Sequence, residues 1–159
     1  MTGINKNMNV LYVGFKGKNN ASYQLLSNLK GNKLLLTNSY DGLKRDIAMQ
    51  QGKYKLILMF GIDKTLKNEI RIEKNARYDE ERAETLIDIY AMNQHFNKNG
   101  IDAFISDIPT AYLCNAAYFH MLKKYTGRVV FVHIPSSKNM SEEMFVNLRK
   151  VIERIQNEN

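Results

Sequence analysis

The sequence predicts an α/β fold, with a mostly parallel sheet covered by helices on both faces. Short apolar runs rich in Val, Ile, Leu and Phe recur along the chain, and helical segments separate most of them. Strands joined by single helices imply right-handed crossovers, and hence parallel neighbours. The 159 residues are 44% hydrophobic and 25% charged, the balance of an ordinary globular chain long enough for a sizeable core. Residues 1–159 are therefore read as a single domain, without internal repeats or a low-complexity linker.

The elements follow in chain order. Residues 8–15 (MNVLYVGF) read as the first strand and run into a glycine-containing turn over 14–18. Asn20 or Ser22 can cap the next helix, which carries Leu25, Leu26 and Leu29, because a short side-chain oxygen accepts from the open N–H groups of a first turn. A short apolar strand is expected over 33–37, a helix capped by Asp41 with Leu43, Ile47 and Ala48 inward, and a strand over 54–60. Residues 68–74 (NEIRIEK) alternate apolar and polar, the pattern of an edge strand or hairpin with one wet face. Asp79 is expected to open a long helix to about residue 97, with Leu86, Ile89, Tyr90 and Phe96 inward and Asn99-Gly100 as its stop. A strand over 101–106, a helix from Pro109-Thr110 to about residue 125, and the most strand-like run of all, 128–134 (RVVFVHI), come next. Ser141 then begins a last helix with a partial capping box.

The net charge of +7 invites a nucleic-acid partner. The basic residues argue against one, because they are scattered and cluster only in pairs such as Lys44-Arg45, Lys123-Lys124 and Arg149-Lys150. A single cysteine excludes an intramolecular disulfide, and His95, His120 and His133 lie too far apart in sequence to make a zinc spacing with it, so no metal is expected. Residues 1–6 lack the apolar run of a signal peptide, and no stretch approaches the roughly 18 apolar residues that span a bilayer. A cytoplasmic protein without a membrane partner is expected.

Ligands of parallel α/β sheets gather at the carboxyl ends of the strands. That rule places Phe15, Gly61, Asp107 and His133 along one rim, with Cys114 at the start of the helix that follows. A helix N-terminus favours a thiolate, and its free N–H groups can hold an oxyanion. His133 ends its strand and could project towards Cys114, and a carboxylate orienting the imidazole would complete a thiol hydrolase. The residues by themselves favour Cys114 as a small core residue and His133 as a structural histidine, since sequence spacing does not bring them together, and leave the thiol hydrolase as a candidate.

A resemblance bears on that choice. Residues 100–115 (GIDAFISDIPTAYLCN), followed by Tyr118 and then 131–135 (FVHIP), resemble the nucleophile and histidine segments of the pyroglutamyl peptidase type I (pyrrolidone-carboxylate peptidase) family. These are cysteine peptidases that remove N-terminal pyroglutamate. The resemblance implies Cys114 as nucleophile and His133 as base. Residues 70–76 (IRIEKNA) are similar to the family's Ile-x-Ile-Glu-Arg-x-Ala, which implies Glu73 as the third catalytic residue, Lys74 at the arginine position and Glu69 as the nearby decoy. Val13-Gly14-Phe15 and Asn20-Ala21-Ser22 resemble the opening strand and loop, which implies Phe15 and Asn20 as substrate-binding residues.

The same resemblance implies a three-layer α/β/α sandwich of the phosphorylase/hydrolase-like type, a small peptide substrate, no metal or organic cofactor, and a homo-oligomer. Its departures mark a shortened and divergent member. The family's first loop has two phenylalanines that grip the lactam ring, whereas residues 14–18 (GFKGK) retain only Phe15, with Tyr40 or Tyr78 as candidate replacements. The family's Ala-Arg-Ile-Pro-Asp-Asn segment, whose arginine helps to bind the oxyanion, is missing, and Lys74 and Arg77 are the nearest cations. An amidase or deamidase with another substrate, and a non-catalytic binding protein on this scaffold, stay open as alternatives.

Overall fold

Among residues 9–158, which the computed structural model describes, eight strands and five α-helices make one six-stranded sheet with helices on each face and one small hairpin. Residues 1–6 and Met8, the first residue of the first expected strand, lie outside the described residues. The strands are β1 (Val10–Phe15), β2 (Asn32–Leu36), β3 (Leu56–Ile62), β4 (Ile70–Glu73), β5 (Asn75–Tyr78), β6 (Glu81–Glu84), β7 (Ala103–Ser106) and β8 (Val129–Ile134). The helices are α1 (Ala21–Ser27), α2 (Tyr40–Met49), α3 (Ile89–Lys98), α4 (Tyr112–Lys124) and α5 (Glu142–Glu158). The large sheet has the order β2-β1-β3-β8-β4-β7, and only the β4–β8 pairing is antiparallel.

Alternation of side chains along each strand separates two cores. On one face Val10, Tyr12, Leu58, Phe60, Ile72 and Val132 meet α1, α3 and α5. On the other, Leu11, Val13, Ile57, Met59, Val129 and Phe131 meet α2 and α4. Strands buried on both sides explain the near-continuous apolar runs of β1, β3 and β8. No helix among the described residues is long and apolar enough to cross a membrane.

The sheet departs from the expected one at β4 and β7. β4 is not an edge strand or hairpin arm; it is inserted between β8 and β7. The loop 63–69 holds no helix, so the chain doubles back over β8 and β4 runs against it. Its polar alternate residues, Arg71 and Glu73, face a second covered layer beneath α4 rather than water. β7 runs parallel to β4 and therefore opposite to β8, so Asp107 leaves the sheet pointing away from the rim that carries His133. The expected crossover between two parallel strands through α4 is absent.

The long helix expected from Asp79 is also absent over its first turns. Residues 75–84 form the β5–β6 hairpin, with Tyr78 paired to Glu81 across a two-residue turn. Asp79 (φ 48°) and Glu80 (φ 67°) both adopt the left-handed conformation that a type I′ turn requires. Neither is glycine, which hid the turn, while the run Asp-Glu-Glu-Arg-Ala-Glu has strong helix formers. Packing on α4 overrides that preference: Ala76 is fully buried, the Tyr78 ring stacks on Phe119 at 5.5 Å, and Lys123 pairs with Glu81. The helix proper is α3, capped by Asp88, whose side chain accepts from the Ala91 N–H at 3.0 Å. Ile89 and Phe96 are buried as expected, but Leu86 and Tyr90 are exposed.

Candidate active site

Strand register assembles the site. Gly61 pairs with His133 and His133 with Arg71; one step below, Met59 pairs with Phe131 and Phe131 with Glu73. Alternation puts all six on the face beneath α4. α4 brings Cys114 down on that face. A Cβ at Gly61 would stand 2.8 Å from the Cys114 sulfur and 2.7 Å from the Phe131 ring, so the sulfur packs against the bare backbone of β3. The neighbouring strand, about 4.8 Å away, carries His133 at the same level.

His133 and Glu73 are 4% and 2% exposed, and His133 Nδ1 meets Glu73 Oε2 at 2.9 Å. Glu69 precedes β4 and has no such contact with the imidazole. A buried carboxylate beside Nδ1 makes that nitrogen the proton carrier and leaves Nε2 as the basic one. Three further residues, Arg71, Asp63 and Tyr118, join this pair. Arg71 donates from Nε to Glu73 Oε2 at 2.8 Å and from a terminal nitrogen to Asp63 Oδ2 at 2.8 Å. The Tyr118 hydroxyl donates to the Glu73 carbonyl at 2.8 Å and pins the backbone of β4 beneath α4.

Electrostatics at the sulfur run against the helix-terminus expectation. Burial pushes the Cys114 thiol up to about 12, helped by the charges of Glu73 and Asp63 and only partly opposed by Arg71. The resting residue is a thiol. The N-terminus of α4 retains a feature useful to an oxyanion: its cap residue Ala111 offers no side-chain hydrogen bond to the first turn. Helix formation begins at Tyr112, not at Pro109-Thr110, and Tyr112 has a left-handed backbone (φ 66°). Asn115 clamps the following turn to the hairpin, accepting from the Arg77 N–H at 3.0 Å and donating to the Arg77 carbonyl at 2.5 Å.

The other residues singled out in the sequence lie as follows. Asn20 caps α1, its Oδ1 accepting from the Ser22 N–H at 2.8 Å and the Ser22 hydroxyl at 2.6 Å. Ser22 Oγ in turn accepts from the Phe15 N–H at 3.2 Å. Phe15 is 4% exposed, packed in the α2–α4 core. Tyr78 is held by Phe119 and by Lys44, which donates to its hydroxyl at 2.9 Å; Tyr40, at the start of α2, is 46% exposed. Arg77 is exposed on the hairpin and Lys74 is half-buried at the end of β4. Among the described residues no group of three or more His, Cys, Asp or Glu is placed to hold a metal ion.

Sequence reasoning missed Asp63, Arg71 and the need for Gly61. Arg71 had a signal: two residues from Glu73 in a strand, it must share that residue's face. Asp63 had none, because only the pairing of β4 with β8 brings it to Arg71.

No protein-family model and no curated protein matches the sequence. Solved structures do match. The pyrrolidone carboxyl peptidase of Thermus thermophilus aligns over 91% of this chain and 98% of its own, with a TM-score of 0.74 at 18% identity. That of Thermococcus litoralis aligns over 91% and 89%, with a TM-score of 0.70 at 21% identity. Pyroglutamyl peptidase I of Bacillus amyloliquefaciens aligns over 91% and 92%, with a TM-score of 0.75 at 17% identity. The chain has the α/β fold of these proteins, with a mostly parallel central sheet flanked by helices.

Proposed function

We propose that this protein is a cysteine hydrolase that cleaves the amide bond after an N-terminal pyroglutamyl, or similar small cyclic acyl, group of a small peptide. The observation that carries the proposal is the Cys114 sulfur packed on Gly61, level with a His133 whose Nδ1 is already engaged by buried Glu73. The fold shared with pyrrolidone carboxyl peptidases supports the choice of reaction.

Because burial keeps Cys114 protonated at rest, proton transfer accompanies attack rather than preceding it. His133 Nε2 takes the thiol proton as the sulfur adds to the carbonyl carbon, and Glu73 stabilises the imidazolium that forms. N–H groups of the uncapped first turn of α4 hold the oxyanion. His133 returns its proton to the leaving amine as the C–N bond breaks. Water, deprotonated by His133, then hydrolyses the thioester and restores the thiol.

Release of chromophore from a pyroglutamyl amide tests the proposal. The native chain should turn the substrate over, and Cys114→Ala or His133→Ala should abolish turnover. Stacking on an aromatic ring contributes roughly 1 kcal/mol beyond area burial, so losing one ring removes that stacking and the burial behind it, together about 2–3 kcal/mol, a specificity constant about 30- to 150-fold below that of a two-ring pocket. The buried position of Phe15 favours one variant of this reading, an amidase for a different acyl group. Faster turnover of another acyl amide than of the pyroglutamyl one identifies it. No turnover of any amide across a panel of acyl groups identifies a binding protein.

A further inference from the structure

The four ionisable side chains that run from the rim into the site, Asp63, Arg71, Glu73 and His133, form one unbroken line of contacts of 2.8, 2.8 and 2.9 Å. All of the line's contacts to Glu73 fall on one oxygen. Oε2 accepts from both Arg71 Nε and His133 Nδ1, whereas Oε1 is buried and has no hydrogen-bond partner. A carboxylate in so dry a place is costly to bury unless a cation stands beside it. If His133 were the sole cation within reach, Glu73 would be balanced only when the imidazole was charged, and the base would be occupied before the reaction began. Arg71 removes that conflict, since its guanidinium is charged at all working pH values. Full compensation by Arg71 would create the opposite problem, a site with nothing left to stabilise an imidazolium. Asp63 takes up part of the Arg71 charge at the other end of the guanidinium.

We propose that Asp63 and Arg71 are positioning residues for the hydrolysis described above: they fix and balance the Glu73 carboxylate and leave the line one negative charge, which is the charge that His133 neutralises on accepting the thiol proton. The charges are −1 for Asp63, +1 for Arg71 and −1 for Glu73, hence −1 before proton transfer and zero after it. Around His133 the titratable or charged groups are Arg71 and Glu73 from β4, Asp63 from the loop after β3, and Cys114 and Tyr118 from α4; Phe131 adds an uncharged ring at 4.7 Å. The role in turnover rests on the proposed function, but the charge relation belongs to the resting protein and can be read without substrate.

The decisive property is that the two residues act with opposite sign. Removing a negative charge near an imidazole disfavours its protonation, and removing a positive charge favours it. Histidine titrations followed by NMR, with the His133 signal assigned by its loss in His133→Gln, should show a midpoint lowered by on the order of one pH unit in Asp63→Asn and raised by a similar amount in Arg71→Gln. Arg71→Lys keeps the charge and should hold the midpoint near its native value. The acid limb of kcat/KM should move in the same directions. A variant that merely loosened the fold would not shift the two midpoints oppositely. Arg71→Gln leaves Glu73 short of a donor and risks misfolding, but Asp63, 22% exposed, can be changed with the Arg71–Glu73 contact intact, and its downward shift alone must appear. Shifts in the same direction, or none in Asp63→Asn, overturn the proposal. Opposed shifts without hydrolysis of any amide keep the charge relation and overturn the proposed function; normal hydrolysis without shifts does the reverse.

Discussion

Gly61 is the position at which the site depends on the absence of a side chain. A methyl group there meets the Cys114 sulfur and the Phe131 ring at distances that real Cβ atoms do not occupy, so one of them must shift within the α2–α4 core. Gly61→Ala should therefore cost about 1–3 kcal/mol of stability by overpacking and remove most pyroglutamyl amide turnover, read by chemical denaturation and by the chromogenic assay. The neighbouring thiol supplies a second prediction. Burial raises Cys114 from an ordinary 9.0 to about 12, so alkylation by iodoacetamide should be slow at neutral pH and rise about tenfold per pH unit well beyond pH 9. The same shift makes a stability statement. A group whose pKa rises on folding favours the fold below its unfolded value, and that contribution is lost as pH climbs from about 9 towards about 12. Cys114→Ala should reduce the alkaline loss of stability relative to the native chain. A rate of alkylation already maximal at pH 7 would show instead that His133 holds the sulfur as a thiolate.

Among the elements, the β5–β6 hairpin stands where a helix was expected, and its position matters to the site. It covers α4 from Ala76 to Tyr78, and Asn115, the residue after Cys114, fastens it through both polar groups of its side chain. Asn115→Ala removes two hydrogen bonds to the Arg77 backbone and should cost about 1–2 kcal/mol, with faster exchange of the Arg77 amide as the local signature. The turn itself is strained, because Asp79 and Glu80 occupy a left-handed region that asparagine and glycine adopt more readily. The double change Asp79→Asn and Glu80→Gly should stabilise the protein by about 1 kcal/mol, seen as a higher unfolding midpoint in urea. β4 carries the same lesson as the hairpin. Ile70 and Ile72 fill one core while Arg71 and Glu73 pair with each other, and Glu73 with His133, in the opposite layer, so an amphipathic pattern marks a buried polar layer rather than solvent.

Across the whole molecule, acid stability should depend on the far end of the charged line. Partial burial pushes the Asp63 carboxyl up, but hydrogen bonds from Thr65 and the guanidinium of Arg71 outweigh it and hold the group at about 2. A group whose pKa falls on folding stabilises the fold above its unfolded value and loses that contribution as pH drops, here from about 4 to about 2. Denaturation midpoints should fall less steeply through that window in Asp63→Asn than in the native chain. The sequence by itself determined the layered α/β class, because apolar runs of strand length between helical segments carry enough local information to specify elements and their burial. It also singled out Cys114, His133 and Glu73, through their resemblance to a known family and, for the first two, their places at a helix start and a strand end. What only the tertiary structure decided was the direction of β4 and β7, the hairpin in place of a helix, and the company those three residues keep. Each depends on contacts between segments distant in sequence. Strand direction follows from where a chain can find a partner, the hairpin exists because α4 offers it a surface, and Asp63 reaches Arg71 only when β4 folds back beside β8.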